Sequence, residues 1–259
     1  MSFSADGSNL KLGRGALFLA AWSSSTPPGS TDLGTFVGNI TALEMTSTNE
    51  TREIYSSSQA SSPLLDQRVI RQKYEMSATL DEHTLNNLKL FMQGTSTTVS
   101  QSAQTTASVT LTDVVPGNTY YLSARNISNV LVKKATTTKS QSTDVLVDTT
   151  NGLLTVLTTG TLTSGDDLTV TYTKPAATIN KVRGNMVASP VYKLTFQSDD
   201  TNTDGDAAKD KLTVWKVSVQ PDGAYGFISD DYSAFSLKFA VLDDSTHNPT
   251  EPFFTLERV

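Results

Sequence analysis

The residues best placed for chemistry are carboxylates. Asp200-Thr-Asn202-Thr-Asp204-Gly205-Asp206 puts oxygen side chains at positions 1, 3 and 5 and glycine at 6, the opening of a calcium loop. Such a loop needs a bidentate Glu at position 12, and that position is Lys211. Its flanks alternate as strands, not helices, so the stretch also reads as a solvated turn between strands. Asp200, Asn202 and Asp204 are therefore an incomplete calcium candidate, and no metal centre is expected. Asp230-Asp231 and Asp243-Asp244 pair carboxylates. A glycosidase couple needs a defined separation across a cleft, whereas neighbours on a strand point to opposite faces. Histidine occurs only at His83 and His247, and cysteine is absent, which excludes thiolate catalysis, cysteine-bound zinc and disulfides. No nucleophile-elbow, phosphate-loop, zincin or dinucleotide motif occurs. The expectation is a protein that is not an enzyme, with no catalytic residue and no cofactor.

Something other than a reaction must then explain the elements. The 259 residues suffice for one large β domain or two ordinary ones. Hydrophobic residues make up only 37%, with Ser and Thr in excess after Gly94, yet the apolar residues alternate in many short segments. A pleated strand needs apolar residues on one face only. The net charge is -6 and the pI about 4.9. Proteins that clamp nucleic acid neutralise phosphates, so this chain should repel DNA. No apolar run of membrane-spanning length occurs. The opening Met-Ser-Phe-Ser-Ala-Asp-Gly lacks the features of an export signal, so the glycosylation sequons at Asn39, Asn49 and Asn126 carry no weight.

Along the chain, Gly15 to Trp22 reads as a buried strand, and Phe36 to Thr46 as another, with Thr51 to Tyr55 as a hairpin partner. Ser56 to Leu65 has little to bury and reads as an exposed loop. Gln67 to Leu80 alternates, with Tyr74, Met76, Ala78 and Leu80 on one face. One helix is expected near residues 81–93, capped by Asp81 or Thr84 and ended by Gly94 at C′, with His83 solvated in its first turn. Residues 95–176 read as an inserted small all-β module of sandwich type, including a hairpin closed at Asn151-Gly152. Heavier strands follow, with Tyr192/Leu194/Phe196, Trp215/Val217/Val219 and Phe235/Leu237/Phe239/Val241 each sharing one face of its strand, then Phe253 to Val259. The fold class is mainly β: a β-sandwich or partial-barrel core (residues 1–94 and 177–259) with one flanking α-helix, plus an Ig-like insert.

The order of these pieces resembles the tail tube, or major tail, proteins of long-tailed bacteriophages. The similar stretches are Gly15-Ala-Leu-Phe-Leu, Val37-Gly-Asn-Ile-Thr-Ala-Leu43, Glu53-Ile-Tyr55 with the loop after it, Ala78-Thr-Leu-Asp-Glu82 and Asn87-Leu-Lys-Leu-Phe91. They continue in Val145-Leu-Val-Asp148, Asn151-Gly-Leu-Leu154, Gly165 to Tyr172, Lys216 to Pro221 and Phe239 to Asp243. Together they cover most of the chain.

The resemblance implies a structural virion protein. Its subunits would form hexameric rings that stack helically into a hollow tube, through which DNA is ejected without specific binding. Partners would be further copies of itself and the tape-measure, tail-tip and terminator proteins, with no membrane. Its location would be the virion tail, assembled in the bacterial cytoplasm. The loop from Tyr55 to Asp66 would touch the next ring, naming Ser57, Gln59, Ser62, Leu64, Leu65 and Arg68. The hairpin's polar positions Glu44, Glu50, Glu53 and Glu75 would face the lumen, although Arg71 and Lys73 share the face of Glu75. An acidic wall repels phosphate, and edge strands paired between subunits hide an aggregation liability. The competing expectation is a virion-surface or extracellular β-rich module for adhesion or carbohydrate binding.

Overall fold

Alternating apolar residues become strands along nearly the whole chain. The computed structural model describes residues 13–58, 60–199 and 210–258. In chain order the elements are β1 (Gly15–Ala21), β2 (Thr35–Phe36), β3 (Ile40–Tyr55), β4 (Leu64–Leu80), α1 (Leu85–Phe91), β5 (Thr95–Gln101), β6 (Gln104–Val114), β7 (Thr119–Tyr121), β8 (Ser128–Lys134), β9 (Thr137–Thr138), β10 (Val145–Asp148), β11 (Leu153–Val156), β12 (Asp166–Lys174), β13 (Ala177–Arg183), β14 (Val191–Ser198), β15 (Asp210–Asp222), β16 (Phe235–Val241) and β17 (Phe254–Arg258). The fold is mainly β, with one short helix among the described residues.

The chain divides into two compact units. One comprises Met1–Ser96 with Val182–Val259, the other Thr97–Lys181. Strands β5 and β13 pair with each other and carry the chain out and back, so the second unit ends later than the expected residue 176.

The first unit holds an eight-stranded sheet, ordered β2-β1-β14-β15-β16-β4-β3, with β17 also paired to β15. Strand β15 forks. Its first half pairs with β17 from Asp210↔Arg258 to Val214↔Phe254, and its second half with β16 from Val217↔Val241 onward. β17 follows β16 along the same edge of β15, so Tyr74 of β4, just past the end of β16, meets Phe254 of β17 edge to face, 5.1 Å between centroids. Leu17, Leu19, Met76, Leu80, Leu194, Phe235, Leu237 and Phe239 fill the core. A bulge falls at the fork, where Tyr192 pairs with Val217 but Leu194 with Val214. One extra residue reverses the alternation. The core positions of β15 are therefore Val214, Val217 and Val219, and Trp215 is only half-buried, a correction to the expected face.

Strand β14 is buried on both sides. Leu194 faces the core, while Lys193 is 1% exposed. Its Nζ donates to the carbonyls of Gly29 (2.5 Å) and Asp32 (3.0 Å) and stands 5.2 Å from the Trp215 ring centroid. The cation pins the β1–β2 loop over the outer face of the sheet. Burial lowers the pKa of this ammonium.

Helix α1 is shorter than residues 81–93. Thr84 is the N-cap and accepts from the Asn87 amide. At the other end Gln93 takes the left-handed conformation (φ 47°), its N–H donating to Leu90 O, while Gly94 N–H donates to Lys89 O. This is a Schellman ending with Gln93, not Gly94, at C′. Glycine is required at 94 for another reason: a Cβ there would lie 2.4 Å from the Arg183 carbonyl. His83 precedes the helix and is not merely solvated. Its ring nitrogens contact Tyr225 Oη (3.0 Å) and Ser233 O (2.8 Å).

The second unit is a sandwich of a four-stranded sheet, β6-β12-β8-β9, and a three-stranded sheet, β10-β11-β7. Val114, Val132, Leu168 and Val170 from one meet Val145, Leu154 and Val156 from the other in a single core. Tyr172 of β12 donates to Leu122 O (2.5 Å) and ties the layers together. The β10–β11 hairpin forms as expected, with Gly152 in the left-handed region (φ 67°).

Candidate functional site

The feature of the first unit that its own packing does not explain is the β3–β4 hairpin. Its strands have 16 and 17 residues. Neighbour β16 supports β4 only from Leu80 to Glu75. From Thr46↔Glu75 onward the pairing continues to Tyr55↔Leu64 between these two strands alone, among the described residues. Ten residues at about 3.3 Å each carry the ribbon roughly 30 Å past its last sheet neighbour. An isolated two-stranded ribbon is marginal in water. This one also presents Ile54, Tyr55, Leu64, Leu65, Val69 and Ile70 at 47–66% exposure. Exposed apolar residues gathered at a strand end mark an interaction surface.

The ribbon's root is fixed by polar contacts at the β2–β3 corner. Gly38 has φ 94°, and a Cβ would meet Glu82 Oε2 at 2.1 Å. Glu82 Oε2 accepts the Asn39 amide (3.0 Å), and Asn39 Nδ2 donates to Asp81 (2.6 Å). Buried Asn87 of α1 donates to the carbonyls of Val37 (2.6 Å) and Glu82 (2.9 Å). Helix, corner and ribbon root thus form one hydrogen-bonded block.

The sequence-derived interface residues gather at the ribbon tip. The loop is shorter than Ser56 to Leu65. Strand pairing reaches Tyr55↔Leu64, so Leu64 and Leu65 lie on β4 rather than in the loop, and Arg68 lies farther along the same strand. Ser56 N–H donates to Pro63 O (2.9 Å), closing a turn that contains Ser57 and Ser62, the latter with φ 41°. Arg68 pairs with Asp66 at 2.9 Å. Gln59 lies outside the described residues.

The four glutamates divide. Glu44, Glu50 and Glu75 share a face, opposite Ser77, Arg71 and Thr46 respectively. Glu53, an odd number of residues from Glu44 and Glu50 on the same strand, points the other way and accepts a hydrogen bond from Tyr55 Oη. Glu50 pairs with Arg71 (3.0 Å), and Glu75 with Lys73 (2.5 Å) and Lys238 (3.1 Å). Hydrogen bonds from Lys73 and then Lys238 lower the pKa of Glu75. The shared face is a charge ladder of both signs, not an unpaired acidic row.

The two adjacent aspartate pairs lie outside the strands. Asp244 is buried and holds His247 Nδ1 (2.9 Å) and Asn248 Nδ2 (2.7 Å), while Asp243 accepts from Ser245 Oγ (2.7 Å). Asp230 and Asp231 lie exposed in the β15–β16 loop. The calcium candidates Asp200, Asn202 and Asp204 lie outside the described residues. Among the described residues, no group of three or more His, Asp or Glu is placed to hold a metal, and no helix is long and apolar enough to cross a membrane.

Charge is unevenly shared. Residues 97–181 carry six basic and five acidic side chains, so the rest of the chain holds 14 basic against 21 acidic. The excess negative charge thus belongs to the first unit.

No curated protein matches this chain. Residues 10–254 match the family described as "Protein of unknown function UCP028589", and the chain belongs to that family.

Proposed function

We propose that this protein is a tail-tube subunit of a long-tailed bacteriophage, polymerising as stacked rings around a channel for DNA. The observation that carries the reading is the β3–β4 ribbon. Its exposed apolar tip, far beyond the last supporting strand, needs a partner to become stable, and another copy of the same protein supplies one in every ring. Among the described residues the sheet also ends in open strands, β2 on one side and β3 on the other. Edge pairing between neighbours removes both liabilities together. The acid excess of the first unit favours a tube wall that repels phosphate. Rings stacked by head-to-tail contacts have no intrinsic length limit, so a separate ruler protein must set it.

Negative-stain electron microscopy of the purified, concentrated protein tests the reading. Long hollow tubes or stacked rings are expected. A field of uniform single particles across concentration and salt would sink it.

A further inference from the structure

The loop between β15 and β16, residues 223–234, presents Phe227, Ile228 and Tyr232 at 81%, 97% and 102% exposure. Three large apolar side chains in one short loop are costly to leave in water. The loop is nevertheless built rather than loose at its base. Tyr225 packs against Phe91, Phe227 and Phe235, Ser233 O meets His83 Nε2 at 2.8 Å, and Ser233 Oγ donates to Gly226 O (3.0 Å). Asp230 and Asp231 sit between Ile228 and Tyr232 in the chain.

A matching recess lies on a different flank of α1. Buried Leu19, Val37 and Leu90 floor a cavity of about 180 Å³, and Phe36, Lys89 and Tyr192 stand at its rim. An apolar cavity of roughly 150 Å³ is enough to take a benzene ring. The recess runs along Asn86, Lys89 and Leu90 beside β1 and β2, whereas the loop leans on Phe91 and emerges between β15 and β16. Within one copy the loop does not fill the recess, because its apolar side chains are exposed.

We propose that the β15–β16 loop of one copy docks in the α1 recess of the next, an aromatic or aliphatic side chain filling the cavity while Asp230 or Asp231 pairs with Lys89. Knob and hole are different surfaces of the same chain, so the contact is heterologous and propagates from copy to copy. As the contact between neighbours within a ring, it rests on the tube reading.

The absence of cysteine makes the test clean. Asn86→Cys and Ile228→Cys are introduced singly at exposed positions and treated with a short bis-maleimide. A mixture of the two variants should give a covalent dimer, and the double variant a ladder of higher oligomers, while neither single variant links to itself. No dimer in the mixture, or self-linking of Ile228→Cys alone, overturns the contact. Lys89→Glu should raise the concentration needed for association about tenfold, with recovery on adding Asp230→Lys and Asp231→Lys. Unchanged association in Lys89→Glu counts against the pairing. Microscopy of the same samples separates the two readings. Tubes without cross-links remove the docking contact alone, and cross-linked oligomers without tubes remove the tube reading alone.

Discussion

Asp144 shows how a single side chain can hold a unit together without doing chemistry. It accepts from the Thr161 amide (2.8 Å), the Ser140 amide (3.0 Å) and Thr161 Oγ1 (2.8 Å), bridging two loops of the sandwich. These bonds, the Thr161 amide first, lower its pKa to about 2 from an ordinary 3.8. The folded state therefore prefers the carboxylate more than the unfolded state does. Its stabilisation is fully present above pH ~4 and is lost as pH falls toward ~2. Thermal unfolding of wild type and Asp144→Asn across pH 2–6 should show the two curves converging at the acid end. Parallel curves would mean that Asp144 does not contribute this way. At this scale the sequence was only partly legible. The N-cap could be narrowed by type and position to Asp81 or Thr84, and Thr84 takes the place. The buried Lys193 could not, because a lysine in an alternating strand reads as solvated, and only the loop at Gly29 and Asp32, more than 160 residues away, supplies its acceptors. The partners of His83 are equally distant in sequence, at Tyr225 and Ser233.

Strands were legible from alternation because burial on one face imposes it. Met76, Ala78 and Leu80 are buried and alternate with half-buried neighbours in β4. Alternation fails where a bulge adds a residue, which is why Trp215 yields its core place to Val214. It also says nothing about where a ribbon loses its sheet neighbours. The outer part of β3, Thr46 to Tyr55, is exposed throughout, so its strand character comes from pairing rather than burial. That same independence from the core gives the ribbon a testable property. Deleting Ser57 to Ser62 should let the hairpin close lower, at the cost of its apolar tip. The core below Glu75, sealed by β16, should stay folded. Circular dichroism should report an intact β protein and microscopy no tubes. Tubes of normal appearance would remove the tip from the stacking contact.

For the molecule as a whole, the division into a sheet-and-helix unit and a small sandwich could be read from composition, since Thr- and Ser-rich strands with few aromatics predominate after Gly94. Its exact ends did not, because β5 and β13 look like any other alternating strands and their pairing is long-range. The candidate site was legible only as a region. A polar loop drew attention to residues 56–65, whereas the exposed apolar residues that make it an interaction surface lie on the strands below it. The cavity beside α1 and the loop 223–234 had no sequence signal, since one is a shape and the other a short run of residues that could equally have been core.

The paired strands β5 and β13 have a practical consequence. Because they lie side by side, the points where the chain leaves and re-enters the first unit are only about 5 Å apart, one strand spacing. A graft site needs such close ends. Replacing Thr97–Lys181 with a short Gly-containing turn should leave a smaller protein whose circular dichroism and unfolding remain cooperative. Any foreign domain with adjacent termini should then be accepted in its place, making the chain a carrier that repeats its cargo once per copy. Failure of the shortened chain to fold would mean that the first unit draws stability from the module it carries.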